Sequence, residues 1–185
     1  MNTPWEHEDL ELRRRRFAQI RESWQLSPGF KDVDAVEAYR QEHGQEARDA
    51  VASFLAGSSE ARDLASTIDH WSRGADFGFA GPSGAMYLNQ ITKDSDGPEV
   101  QLFLRRALIP PTDVTTACLL VDELAELTAK LRERGSAAAV ARAPFFLTWF
   151  WWLQSPSTWR PMWPSASAAI VELGWLPQEF KSQGA

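Results

Sequence analysis

Arginine and tryptophan side chains give this sequence its clearest potential chemistry, because together they could hold a nucleic acid. A guanidinium pairs with phosphate, and an indole face can stack on a base. Near the C-terminus, Arg160 lies between Trp159 and Trp163. A run of four cations near the N-terminus consists of Arg13, Arg14, Arg15 and Arg16. Both groups are candidate contacts for DNA or for a partner protein such as a motor or nuclease subunit.

Each group also has a structural interpretation. Asp9 and Glu11 precede the first and third arginines of the run by four residues, a spacing that pairs opposite charges on a helix. We therefore favour a solvated, self-neutralised helix face, with a phosphate or partner contact as the alternative. Trp159 and Trp163 lie in a proline-rich connection and are predicted to plug it onto the core, with a surface stacking platform as the alternative.

Polar side chains also occur in residues 75–97, a stretch of glycines, aromatics and turn residues. We predict an ordered loop here, with a short helical or extended insert from Met86 to Ile91. Long loops inside a compact domain often have a function. The side chains that could converge on a site are Asp76, Tyr87, Asn89 and Gln90. An enzyme with an unrecognised site in this loop is therefore one hypothesis.

The histidines and the cysteine do not form a known catalytic or metal-binding pattern. His7, His43 and His70 have no second histidine or cysteine at metal-ligand spacing. We expect His70 to lie exposed at a helix end. The lone Cys118 has apolar neighbours, which predicts a small buried side chain rather than a reactive thiol.

Two loops resemble ligand-binding motifs but lack required residues. The segment 94–105 begins like a calcium-binding loop, but Arg105 stands where the final glutamate is needed. The glycines of residues 78–84 are not followed by the lysine and hydroxyl residue of a P-loop. We predict no catalytic residue, no metal and no cofactor.

Helices are the elements expected to position all of these residues. Apolar side chains recur at intervals of three and four residues, between glycine and proline stops, and no sustained alternation indicates a strand. The predicted helices cover about residues 6–24, 34–43, 45–56, 60–73, 98–109, 112–134, 144–153 and 165–173. We therefore predict an all-α fold, a compact bundle of about seven to eight helices with one glycine-rich ordered loop.

Helix ends and inward faces are predicted from side-chain type. Ser58 or Ser59 is expected to cap the helix over 60–73, and Thr112 the helix over 112–134, where Val114 is placed on the buried face. The segment Pro144 to Leu153 is apolar on every side, which is typical of a helix in the middle of a bundle.

Length and charge limit the other classes of protein. The chain has 185 residues and a net charge of −6, which disfavours a general electrostatic grip on nucleic acid or anionic membrane. The N-terminus lacks the apolar core of a signal peptide, so we expect a cytoplasmic location and no membrane. We predict one helical domain over residues 1–185 with a flexible tail at 178–185, or a fragment of a longer protein cut at a linker.

One set of residues resembles a known family. It runs from Gly81-Pro82-Ser83-Gly84-Ala85-Met86 and Leu88-Asn89-Gln90 to Pro144-Phe145-Phe146-Leu147, Trp151, Leu153, Pro156, Trp159, Trp163, Ser165-Ala166 and Leu173-Gly174-Trp175. This pattern is similar to the helical N-terminal region of bacterial McrB-like proteins, in which a recognition region precedes an AAA+ motor or a nuclease. The resemblance covers about residues 76–177 and implies the front module of a restriction or anti-phage defence protein.

The sequence departs from that family in two respects, because it is acidic and carries no motor or nuclease motif. The leading hypothesis is a non-catalytic recognition or assembly module of a defence system that binds DNA or a partner protein. The alternatives are a self-associating helical scaffold, in which tryptophan-rich surface packs between copies, and the enzyme hypothesis above.

Overall fold

The computed structural model describes residues 44–73, 79, 81, 83–93 and 98–162, together with the single residues 15, 18, 19, 22, 38 and 42. In these residues every regular element is helical and there is no strand. The helices are α1 (Gln45–Leu55), α2 (Ala61–Arg73), α3 (Ala85–Lys93), α4 (Pro98–Ala107), α5 (Val114–Glu133), a 3-10 turn (Val140–Arg142) and α6 (Ala143–Gln154).

The predicted all-α class is confirmed for this part of the chain. The expected insert near Met86 is a helix, α3. Most of the predicted helices at 6–24 and 34–43, and all of that at 165–173, lie outside the described residues, although the six single residues named above are helical. The total number of helices and the glycine-rich loop stay predictions.

The start of α2 differs from the sequence prediction, because neither Ser58 nor Ser59 adjoins the first helical residue, Ala61. The Asp63 carboxylate accepts a hydrogen bond from the Glu60 backbone N–H at 3.0 Å. The Ala61 N–H is donated to the side-chain oxygen of Gln101, on α4, at 3.3 Å. Free N–H groups at a helix start need such acceptors, and here a neighbouring helix supplies one.

The prediction that Thr112 caps α5 is also wrong by one residue. The cap is Asp113, which has an extended backbone and accepts a hydrogen bond from the Thr116 N–H at 2.9 Å. This bond and one from the Thr116 hydroxyl lower the pKa of Asp113, because both favour the carboxylate. At the other end, Gly135 closes the helix with φ +104°, a conformation that favours glycine.

Helix α6 forms the centre of the described fold, as its apolar composition predicts. All of its residues except Pro144 and Gln154 are buried. The Trp149 ring stacks on Phe79, with 3.6 Å between ring centroids, and meets the edge of Trp71 at 5.6 Å. Burying an aromatic side chain removes 150–250 Å² from water, which is the main contribution expected to hold the surrounding helices in place.

Donors from α6 and the residues after it meet carbonyl groups at the end of α4. The Trp151 Nε1–H is donated to the Ala107 oxygen at 2.8 Å, and the Gln154 amide to the Leu108 oxygen at 2.7 Å. The Trp159 Nε1–H is donated to the Pro111 oxygen at 3.0 Å. The last carbonyls of a helix and those just after it have no partner within the helix, and these three bonds supply one from α6 and the residues after it.

Helices α3 and α5 are joined by a buried polar pair. The Tyr87 hydroxyl lies 2.5 Å from the Thr128 hydroxyl, and neither side chain is exposed. The Thr128 hydroxyl is within 2.8 Å of the Leu124 carbonyl, one turn earlier. Because the Thr128 proton is used by that carbonyl, Tyr87 is the donor in the pair.

Two predictions about α5 are wrong. Cys118 is exposed rather than buried, and Val114 is 70% exposed rather than inward. The buried face of α5 runs instead through Ala117, Leu120, Leu124, Leu127, Thr128 and Leu131. Residue 118 lies beside that face, and residue 114 precedes its first contact with the core.

None of the helices in the described ranges combines the length and the apolar composition that crossing a membrane requires.

Candidate functional site

A groove between α2 and α3 collects polar side chains from both helices. On α2 they occupy positions 62, 66, 69 and 73, and on α3 positions 89, 90 and 93. Residues at intervals of three, four and seven share one face of a helix. The opposite faces of both helices carry apolar residues into the core, such as Ile68 and Leu88. The groove is therefore the solvent side of two packed amphipathic helices.

Two adjoining cavities make up this groove, with volumes of about 630 and 430 Å³. Asp69, Asn89 and Lys93 line both of them. The larger cavity extends to Gly135 and Ala137, at the loop that follows α5. A depression of this size falls in the range of ligand pockets, but its lining includes more charged side chains than such pockets usually have.

Cations outnumber carboxylates around the groove. Among the described residues of the lining, Arg62, Arg73 and Lys93 face one carboxylate, Asp69, and their charges sum to +2 in a chain whose total is −6. The Asp69 and Arg73 side chains form an ion pair of 2.5 Å one helical turn apart. The Arg73 side chain is 74% exposed, so the pair orients the guanidinium at the groove without removing it from water.

The structure separates the loop candidates predicted from sequence. Asn89 and Gln90 are half-buried side chains that line the groove. Tyr87 lies on the opposite face of α3, where it is fully buried against Thr128. Burial raises the pKa of Tyr87 to about 12, because the phenolate would be formed away from water. Asp76 lies outside the described residues.

The aromatic and arginine candidates are placed separately from this groove. Trp159 is half-buried, with its ring centroid 5.0 Å from that of Trp151 and its indole N–H held by the Pro111 carbonyl. Arg160 is exposed beside it. Trp163 lies outside the described residues, as do Arg13, Arg14 and Arg16. Arg15 is helical and exposed.

Arg62, Asp69, Arg73 and Lys93 were not predicted as site residues from the sequence. His70 is exposed near the end of α2, as predicted, and Asp69 pairs with Arg73. The available signal was the spacing of Arg62, Asp69 and Arg73 on one helix face. Any solvated helix shows such a pattern, so only the packing of α3 distinguishes this face.

Within the described ranges, no three histidine, cysteine, aspartate or glutamate side chains approach closely enough to hold a metal ion. The groove offers instead fixed cations, amides and one carboxylate. These groups bind by ion pairing and hydrogen bonding.

Comparisons with known protein families, curated proteins and solved structures give no match for this chain.

Proposed function

We propose that this chain is a non-catalytic recognition module that binds a partner protein through the α2–α3 groove. The observation that carries the proposal is the lining of the groove, where three cations and two side-chain amides surround one carboxylate. Charged and amide groups on rigid helices give specificity to an interface. The resemblance to McrB-like N-terminal regions adds the proposal that the partner belongs to a bacterial restriction or anti-phage system.

A protein partner fits this surface better than DNA does. Base stacking needs open aromatic faces, whereas the indoles of Trp149, Trp151 and Trp152 are buried. A long polyanion would also extend past the groove and meet the surrounding surface of a chain whose net charge is −6. The exposed Arg160 beside Trp159 is the described feature that favours DNA, so DNA binding is tested directly.

Photocross-linking in cells tests the proposal. A photoreactive phenylalanine analogue replaces Gln90 in the groove or, as a matched control, Lys130, an exposed residue of α5 that does not line it. We expect discrete cross-linked products from position 90 that position 130 does not give, identified as protein by mass spectrometry. Identical products from both positions would refute recognition through the groove.

Anisotropy titrations against single- and double-stranded DNA, methylated and unmethylated, form the second arm. We expect no salt-dependent binding of any of these. Salt-dependent binding that Arg160→Ala reduces, with the salt slope lower by about one, would identify the module as a DNA reader instead.

A self-associating scaffold is the second candidate, and exposed apolar side chains favour it. Leu102 is 63% exposed, Ile109 54% and Leu119 58%, and all three lie on or beside α4 and α5. Large apolar side chains left in water can pack between copies. Sedimentation velocity at two protein concentrations tests this candidate, and a monomer at both would exclude it. Of the residues that motivated the enzyme hypothesis for 76–97, Asn89 and Gln90 line the groove, Tyr87 does not, and Asp76 lies outside the described residues.

A further inference from the structure

The groove between α2 and α3 also carries an inference about the chemistry of its occupant, which rests on the proposed function. We infer that it binds an acidic peptide segment of the partner, with carboxylates of the peptide on Arg62, Arg73 and Lys93. Arg62 and Arg73 lie about 16 Å apart along the axis of α2, and Lys93 lines both cavities. An extended or helical peptide, rather than one small ion, matches this spread of charge.

The positive charge of the groove indicates that its occupant is negatively charged. The described residues of the lining carry +2 although the chain carries −6, so the groove is a local reversal of the overall charge. At physiological ionic strength the screening length is about 8 Å, so a carboxylate in the groove responds mainly to the lining cations. Distant acidic residues are largely screened.

The uncharged lining residues suit a peptide main chain. The amides of Asn89 and Gln90 each offer donors and an acceptor, which can pair with the peptide N–H and C=O groups. Met86 is 45% exposed at the same groove and provides a flexible apolar contact for a side chain between two acidic residues. At the far end, nothing lies within 4 Å of where a Gly135 side chain would begin, so the depression is open there.

The same observations argue against a nucleic acid as the occupant. In the part of the lining that the structure describes, there is no tryptophan, tyrosine or phenylalanine on which a base could stack. Asp69 would also lie against the phosphates, whereas a peptide of mixed sequence can place an amide or a cation opposite it.

The Asp69→Asn variant distinguishes binding by charge attraction from an effect on the structure of the groove. If the occupant is acidic, Asp69→Asn removes a repulsive charge and also the carboxylate that competes with the occupant for Arg73, so binding becomes stronger. A basic occupant would show the opposite response. A change that only loosened α2 would weaken the binding of any occupant.

The test uses the full chain and a fluorescein-labelled peptide in which glutamates alternate with leucines. A peptide with glutamine in place of glutamate is the control ligand, and oligo-thymidylate is the nucleic-acid arm. We expect anisotropy titrations to show salt-sensitive binding of the acidic peptide only. Exposed ion pairs contribute modestly, so Lys93→Gln should weaken binding about two- to fivefold, and Arg73→Gln with Lys93→Gln about tenfold. Lys130→Gln should leave it unchanged.

Each result decides the inference. Weaker binding to the Lys93 variant together with tighter binding to Asp69→Asn supports it. The inference is overturned if the acidic peptide binds the Lys93 and Lys130 variants equally, or if the acidic and glutamine peptides bind equally. Binding of oligo-thymidylate that depends on Arg73 and Lys93 would also overturn it. Arg62→Gln replaces the double variant if circular dichroism shows that the latter does not fold.

Cross-linking from position 90 distinguishes failure of the acidic-peptide inference from failure of the proposed function. Groove-specific cross-links without a response to Lys93→Gln would retain partner recognition and remove only the acidic occupant.

Discussion

The buried pair of Tyr87 and Thr128 makes an asymmetric prediction about stability. The Thr128 hydroxyl is donated to the Leu124 carbonyl and accepts the proton of Tyr87. Tyr87→Phe therefore leaves Thr128 with its own acceptor and removes one net hydrogen bond, at a cost of about 1 kcal/mol. Thr128→Val keeps the shape of the side chain but leaves the Tyr87 hydroxyl buried without a partner. That substitution should cost more, about 2 kcal/mol.

The double variant distinguishes this reasoning from simple loss of packing. Additive effects would destabilise it by about 3 kcal/mol. Because replacing both partners by apolar groups leaves no unpaired hydroxyl from the pair, we expect only about 1 kcal/mol, so that Tyr87→Phe partly rescues Thr128→Val. The coupling between the two substitutions is then about 2 kcal/mol.

Urea unfolding followed by far-ultraviolet circular dichroism measures all three variants against the natural sequence. The dependence of the unfolding free energy on urea should stay constant, since the variants expose the same surface on unfolding. A double variant within about 0.5 kcal/mol of the additive value would refute the pairing. So would a Thr128→Val protein as stable as the parent.

Four further results are expected. Trp149→Ala should lower the free energy of unfolding in urea by about 3–5 kcal/mol, through lost packing, since its buried N–H has no hydrogen-bond partner in the described part of the chain. A loss below about 1 kcal/mol would contradict a core position. Gly84→Ala should lower the melting temperature, because a Cβ there overlaps the Phe79 carbonyl, whereas the control Gly81→Ala meets nothing within 4 Å and should not. Cys118 should react with a thiol reagent in the native protein as fast as in urea, and protection would contradict its exposure. Between pH 10 and about 12, Tyr87 ionises in the unfolded chain but not in the folded one. The free energy of unfolding should therefore fall in this range, by up to about 1.4 kcal/mol per pH unit. Tyr87→Phe should lack that part of the pH dependence.

The aromatic core could be predicted because α6 has no polar face. Every orientation of a helix from Pro144 to Leu153 buries large apolar groups, so its place in the fold follows from composition alone. The same reasoning fails for α5. Its first two turns contain Val114, Ala117, Cys118, Leu119, Leu120 and Val121, which surround the axis, so the sequence does not distinguish the buried face from the exposed one.

The groove was beyond prediction for a different reason. Arg62, Asp69 and Arg73 form an ordinary charged helix face, and their helix spacing is visible in the sequence. Their relation to Asn89 and Lys93 depends on how α2 and α3 rotate and pack against each other, which is decided by apolar residues on the opposite faces. Asn89 and Gln90 could nevertheless be predicted as candidates, because they are polar residues in a segment rich in glycine and turn residues.

The three hydrogen bonds at the end of α4 have a consequence for synthesis. Trp151, Gln154 and Trp159 reach carbonyls that lie 44, 46 and 48 positions earlier in the chain. While the chain emerges from the ribosome, the carbonyls between α4 and α5 are therefore synthesised before their donors. Until the donors follow, these carbonyls are hydrogen-bonded to water. Slow translation around residue 150 would lengthen the time during which these hydrated carbonyls of the nascent chain are accessible to chaperones.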